Sequence, residues 1–240
     1  MKSSNHLSSI SSELVAAGLD ISKSLQAGWY NQTVAHAHRL PNFGRPASLA
    51  LLIGNSRLIW APFMAWLAHD RQRLELPNPL EAYVEASITQ AFEGFETPHK
   101  IRFSHRPEPH HIAFQQMAEV AGLAWRSPAH LSIHPEYGCW LALRAVVVID
   151  LPGPSGDAPG MAPLCTNCQS GCVPKLNAVL GHDHQAMPGD QDVAASWQAW
   201  LAIRDACPIG RAYRYSDDQI RYHYIKDRRF LGTLPGMAPD

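Results

Sequence analysis

From Leu131 to Asp150 the chain reads Leu-Ser-Ile-His-Pro-Glu-Tyr-Gly-Cys-Trp-Leu-Ala-Leu-Arg-Ala-Val-Val-Val-Ile-Asp. Two apolar runs, Leu131–His134 and Trp140–Asp150, bracket Pro135-Glu136-Tyr137-Gly138, so the stretch predicts strand, turn, strand. Outward from it, Ser48–Asn55 reads as a short buried strand ending on a glycine turn, and Lys100–Ser104 as another strand. Helical patterns cover Ile59–His69 and Pro79–Ala91, the latter with apolar Leu80, Tyr83, Val84, Ile88 and Ala91. The strongest helix signal is Ile112–Gly122, closed by its glycine, and Ala194–Arg204 and Asp217–Asp227 are also predicted helical. Residues 1–12 are serine-rich and expected to fray, while Glu13–Leu25 suits either a helix or edge structure. Residues 151–164, with four prolines and three glycines, predict a loop. Strands interleaved with helices predict an α+β or α/β layered architecture, in a single domain over residues 1–240.

A chain of 240 residues, 46% hydrophobic, is long enough to bury one sizeable core. Its formal net charge of −1 gives no electrostatic case for nucleic acid or an anionic membrane. Apolar runs such as Ala145–Ile149 fall far short of the ~20 residues that span a bilayer. The polar start, Met1-Lys2-Ser3-Ser4-Asn5, has no apolar signal segment, and the expected location is cytoplasmic.

An odd number of cysteines, five, with three of them inside Cys165–Cys172, makes a poor disulfide framework. The run Cys165-x2-Cys168-x3-Cys172-Val173-Pro174 has the spacing of a metal or iron–sulfur segment, within a cysteine-rich region at 160–210. Ala162 stands where such a run carries a further cysteine, so the fourth ligand is assigned to Cys207, followed by Pro208. Cys139, between Gly138 and Trp140, reads as a core residue. Four thiolates suit a [4Fe–4S] cluster or zinc, and a zinc clip that only pins the loop is the plainer alternative.

Three stretches resemble the CblC (MMACHC-like) family of cobalamin-processing proteins. They are Gln26-Ala27-Gly28-Trp29-Tyr30-Asn31 with Arg39-Leu40-Pro41; Ile133 to Arg144; and Arg204-Asp205-Ala206 with Arg214 to Gln219. In addition, Ala121-Gly122-Leu123-Ala124-Trp125 leading to His134–Gly138 is similar to the cobalamin-binding core of epoxyqueuosine reductase, an iron–sulfur family. The resemblance implies a nitroreductase-like α+β fold, with a central, mostly antiparallel sheet flanked by helices, and base-off cobalamin binding. The vertebrate pattern keeps Cys172-Val173-Pro174 but lacks Cys165, Cys168 and Cys207, which marks those three as a joint addition.

Residue by residue, the resemblance implies that Arg144 and Arg204, with Arg229 or Arg228 as a third, hold the carboxylates and thiol of glutathione. A guanidinium suits that role because it binds carboxylates in a fork and favours a nearby thiolate. Arg144 lies inside the apolar run Leu141–Val148, where an unpaired charge is costly; an ordinary surface ion pair is the alternative for any arginine. Arg126, Ser127, Pro128, Ser132 and Leu143 are implied to line the corrin cleft, the last two through backbone groups. His134 reads as a structural hydrogen-bonding residue rather than a cobalt ligand. His110-His111 and His182-x-His184 are weak metal candidates, and Trp29, Trp60, Trp66, Trp197 and Trp200 are core residues by default.

The implied activity is removal of the upper axial ligand of cob(III)alamin, by reductive decyanation or thiol-dependent dealkylation, with reduced flavin or glutathione as cosubstrate. The other readings are a cobalamin carrier without turnover and a small iron–sulfur, cobalamin-dependent reductase of an organic substrate. The expected partners are cobalamin, a thiol or flavin reductant, and either a second copy of the chain or a cobalamin-accepting protein.

Overall fold

In the computed structural model, which describes residues 2–181 and 190–231, the chain divides into two compact units. The first takes in the residues up to Trp125 together with Leu141–Ala162. It contains α1 (Lys2–Ala16), β1 (Ile21–Gln26), α2 (Ala27–Asn31), β2 (Ser48–Asn55), α3 (Trp60–His69), α4 (Pro79–Ala91), β3 (His99–Phe103) and α5 (Phe114–Val120). It closes with β6 (Ala142–Pro152); two short paired strands, β4 (Trp125–Arg126) and β5 (Ser132–Ile133), come before β6 in the chain, β5 belonging to the second unit.

One sheet, in the order β1-β2-β6-β3, organises this unit, and every pairing in it is antiparallel. Val148 of β6 faces Ala50 of β2 on one side and Lys100 of β3 on the other. Arg144 to Ile149 are all buried, so β6 is covered on both faces, which is why its sequence is a continuous apolar run. The five apolar positions predicted for α4 are all buried, and the helix opens on Pro79, where a missing N–H costs nothing.

Several expectations are corrected. The serine-rich N-terminus is helical, because Ile10 and Leu14 of α1 are buried at 4% and 1% exposure. Glu13–Leu25 is the end of one helix and the start of a strand, not one element. α5 starts at Phe114, two residues later than expected, with Ala113 as its N-cap outside helical geometry and the Ala113 N–H donating to the Tyr30 hydroxyl at 2.9 Å. Ser196 divides the helix expected over Ala194–Arg204; its hydroxyl bonds back to the Asp192 carbonyl at 2.9 Å. The run Leu131–Asp150 is no hairpin, because β6 takes both its partners from elsewhere. The turn closes on itself instead, through two 2.9 Å bonds between His134 and Gly138.

The second unit takes in Arg126–Trp140 and the described residues from Pro163 onward. Its helices are α6 (Cys172–Leu180), α7 (Asp190–Ala195), α8 (Trp197–Asp205) and α9 (Asp217–Ile225). Ile133, Cys139, Trp140, Cys207, Tyr215 and Ile220 form one buried cluster; Ala129, Leu176 and Ile203 form another beneath α6 and α8. Ser216 caps α9 by accepting from the Gln219 N–H at 3.3 Å, with Asp217 and Asp218 in the first turn where the helix dipole favours them. Of the tryptophans, Trp140 is fully buried, whereas the five assigned to the core are only half-buried. Among the described residues, no helix is long and apolar enough to cross a membrane.

Candidate functional site

Two turns of the second unit meet backbone to backbone. Gly138 has φ +58, and a Cβ built there would lie 1.9 Å from the Ile209 carbonyl oxygen. Gly210 has φ +73, and its Cβ would lie 2.1 Å from the Tyr137 carbonyl carbon. Only two glycines permit this approach. The neighbouring cysteines follow the two backbones: Cys139 and Cys207 are both buried, in one cluster. The S–H of Cys139 donates to the Arg204 carbonyl, at 3.5 Å. The Cys207 thiol is pulled down to about 6 by the neighbouring Cys139 thiol, the Ile209 N–H and the charge of Arg211, against its burial. Cys139 moves the opposite way, pushed up by Cys207 and by burial.

Cys207 opens on a cavity of about 300 Å³ that Cys165, Cys168 and Cys172 also line. Ser127, Pro128, Leu131 and Ile133 complete part of its wall. Burial raises the Cys165 thiol, and the neighbouring Cys168, Cys207 and Cys172 raise it further. Thus all four predicted metal-ligating cysteines are gathered at one cavity, which Cys139 does not line. Among the described residues, no three His, Cys, Asp or Glu side chains converge closely enough to hold one ion. His182 and His184 lie outside the described residues.

The predicted arginines have three different settings. Arg144, 8% exposed on β6, donates from Nε to the Asn55 side-chain oxygen at 2.6 Å. Asn55 in turn donates to the Ser56 carbonyl at 2.7 Å. Arg204, half-buried on α8, holds its guanidinium 5.6 Å from the centre of the Trp140 ring. Burial alone would lower its pKa, but the fields of Tyr224, Tyr215, Cys139 and Asp205 raise it, so its charge is secure. Arg229 is 83% exposed and paired with Asp227 at 2.6 Å, which holds the Asp227 carboxyl down at about 2.

Of the predicted corrin-lining residues, Arg126 is exposed on β4, and Ser127 is buried and ties the β4–β5 turn by accepting from the Leu131 N–H at 3.2 Å. Pro128 borders the cysteine cavity. The Ser132 hydroxyl is buried with no hydrogen-bond partner among the described residues. Leu143 belongs to the first unit, in β6 opposite Gly54. His134 has the structural role expected of it, its Nδ1 accepting from the N–H groups of Glu136 and Tyr137 at 3.0 and 3.3 Å.

Three features escaped sequence reasoning. Arg214 lies 5.7 Å from the centre of the same Trp140 ring while pairing with Asp205 and Asp217 at 2.8 and 3.0 Å. The Cys139–Cys207 contact joins residues with no local relation in the chain. In the first unit, an open groove of about 1160 Å³ is lined by His36, Arg39, Lys100, Arg102 and His110, with no carboxylate. The alternation of Lys100 and Arg102 on an edge strand was its available signal.

No family model matches the chain. The cyanocobalamin reductase / alkylcobalamin dealkylase of Mus musculus is 24% identical over 238 residues, covering 89% of this chain and 76% of its own. The crystal structure of a C. elegans B12-trafficking protein, CblC, superposes with a TM-score of 0.70 at 19% identity, over 95% of this chain and 96% of that one. The chain has the CblC fold. Epoxyqueuosine reductase is a more distant neighbour, with a TM-score of 0.50 at 11% identity, over 88% of this chain and 67% of its own. The CblC-like, nitroreductase-like α+β architecture predicted from three short stretches therefore agrees with likeness along nearly the whole chain.

Proposed function

We propose that this CblC-like protein binds cobalamin with its lower base off cobalt and removes the upper axial ligand. The observation that carries the reading is likeness to the mouse cyanocobalamin reductase / alkylcobalamin dealkylase over 89% of the chain. For an alkylcobalamin, the thiolate of glutathione bonds to the alkyl carbon. The cobalt–carbon bond breaks, and its electron pair stays on cobalt as cob(I)alamin. For cyanocobalamin, one electron from reduced flavin takes cobalt from III to II, and cyanide leaves with the bonding pair. The work proceeds in the cytosol.

Arg204 is the best-supported thiol-positioning residue: its charge is secure and its guanidinium is presented over Trp140. Arg144 takes a second carboxylate, oriented by Asn55. Arg229, exposed and already paired with Asp227, has the weakest support of the three. Arg126, Ser127, Pro128, Ser132 and Leu143 border the corrin, and the unpartnered Ser132 hydroxyl supports a polar ligand there. The name of the C. elegans neighbour, a trafficking protein, favours a second reading: delivery of cobalamin to an acceptor without turnover.

Anaerobic incubation with methylcobalamin and glutathione, followed by visible spectroscopy, separates the two. The expected record is a base-off spectrum on binding, then formation of cob(I)alamin. Arg144→Ala and Arg204→Ala should each slow the second phase about tenfold or more while leaving the first, from loss of contacts worth ~1.5–3 kcal/mol. A base-off spectrum with no turnover, by thiol or by reduced flavin on cyanocobalamin, supports the carrier. A spectrum that stays base-on at saturating protein defeats both.

A further inference from the structure

The four cysteines that line the cavity have no part in the chemistry just described, although Ser127 and Pro128, placed beside the corrin, line it too. Cys165, Cys168, Cys172 and Cys207 all line it. The three loop cysteines keep the short spacing that brings neighbouring thiols to one centre, and a 3.2 Å bond from the Cys168 N–H to the Cys165 carbonyl closes the turn between the first two. The fourth arrives from a distant part of the chain, carried in by the interlock of Gly138 and Gly210. Cys172 is the first residue of α6, whose N-terminus has no side-chain cap. Gly171, Cys172 and Val173 border the cavity, so uncapped N–H groups and the positive end of the helix dipole lie at its wall. An anionic group would complete that end.

The spread of the thiols decides between two such groups. Zinc, at ~2.3 Å from each sulfur, gathers its thiolates to within about 4 Å of one another. Among the described residues, no three His, Cys, Asp or Glu side chains form a group that could hold one metal ion, and the four thiols lie instead along the wall of the cavity. Thiols distributed around a cavity of about 300 Å³ suit a cubane, which offers each sulfur a separate iron corner and is anionic when ligated by four thiolates. We propose that Cys165, Cys168, Cys172 and Cys207 ligate a [4Fe–4S] cluster in this cavity.

The test is metal and sulfide analysis of the full chain, purified anaerobically and then reconstituted with ferrous iron and sulfide, with no cobalamin present. The expected protein is brown, carries about four iron and four sulfide per chain, and bleaches on reduction. Cys207→Ala should lose most of the iron. Cys168→Ala should do so as well; because Cys168 is exposed, folding is not at stake, and circular dichroism should be unchanged. One zinc per chain in colourless protein would overturn the cluster. So would a chain that takes up no iron on reconstitution, or a Cys168→Ala variant that keeps its full iron and sulfide.

Discussion

Replacing Gly138 with alanine tests whether the two glycine turns hold the second unit together. At φ +58 an L-residue pays ~1–2 kcal/mol for the left-handed conformation alone. The new Cβ would also fall 1.9 Å from the Ile209 oxygen and 2.6 Å from the Ile209 carbonyl carbon. Both atoms are backbone, so relief requires a shift of chain rather than a rotamer, and forced overpacking adds ~1–3 kcal/mol. The total is about 2–5 kcal/mol, a large share of the ~5–15 kcal/mol that stabilises a typical domain. Gly171→Ala provides the control, because Gly171 has φ +77 in the same unit with nothing within 4 Å of its Cβ position. It should cost only the conformational part. Urea unfolding followed by tryptophan fluorescence, with Trp140 buried beside Cys139 in this cluster, reads the difference. Gly138→Ala should also expose Cys139 and Cys207 to thiol reagents faster than in the parent. Equal losses in Gly138→Ala and Gly171→Ala would refute the interlock, whatever their size.

Two further perturbations probe the first unit. Asn55→Ala removes the acceptor of the buried Arg144 Nε and should destabilise by ~1.5–3 kcal/mol in urea titration; a loss under about 0.5 kcal/mol would mean that Arg144 is satisfied without it. Glu85 accepts from Arg106 and His105, and although burial opposes them, these bonds hold its carboxyl below the usual range. A depressed folded-state pKa stabilises above the unfolded value and is lost as pH falls through the folded one. Glu85→Gln should therefore lie about 1 kcal/mol below the parent at neutral pH, discounted for its partial exposure, and converge with it in acid. A gap that is constant from neutral to strongly acid pH would remove the carboxylate from the account.

What the sequence disclosed depended on how local the cause was. β2 over Ser48–Asn55 and α4 over Pro79–Ala91 were read to the residue, since their punctuation, Gly54 and Pro79, lies within them. α1 was missed because two apolar anchors, Ile10 and Leu14, make a faint pattern among serines, and only packing reveals their burial. β6 was legible as a strand, but its pairing was not: Leu51 opposite Val147 is a contact that no periodicity near either residue encodes.

At the candidate site the same division separates the cysteines from their setting. Spacing within Cys165–Cys172 groups three thiols in the sequence, whereas which of Cys139 and Cys207 reaches their cavity is written near neither residue. That is settled by a tertiary contact between two turns, and a turn glycine looks the same in sequence whether its αL conformation leaves open space around the Cβ position, as at Gly171, or meets another backbone, as at Gly138. Arg144 carried more information than either glycine, because a charge inside an apolar strand demands a partner even when the sequence does not say which. One partner is Asn55, eighty-nine residues away, at the end of the neighbouring strand β2. Asn55 is a neutral amide, so its bond orients the guanidinium without neutralising its charge.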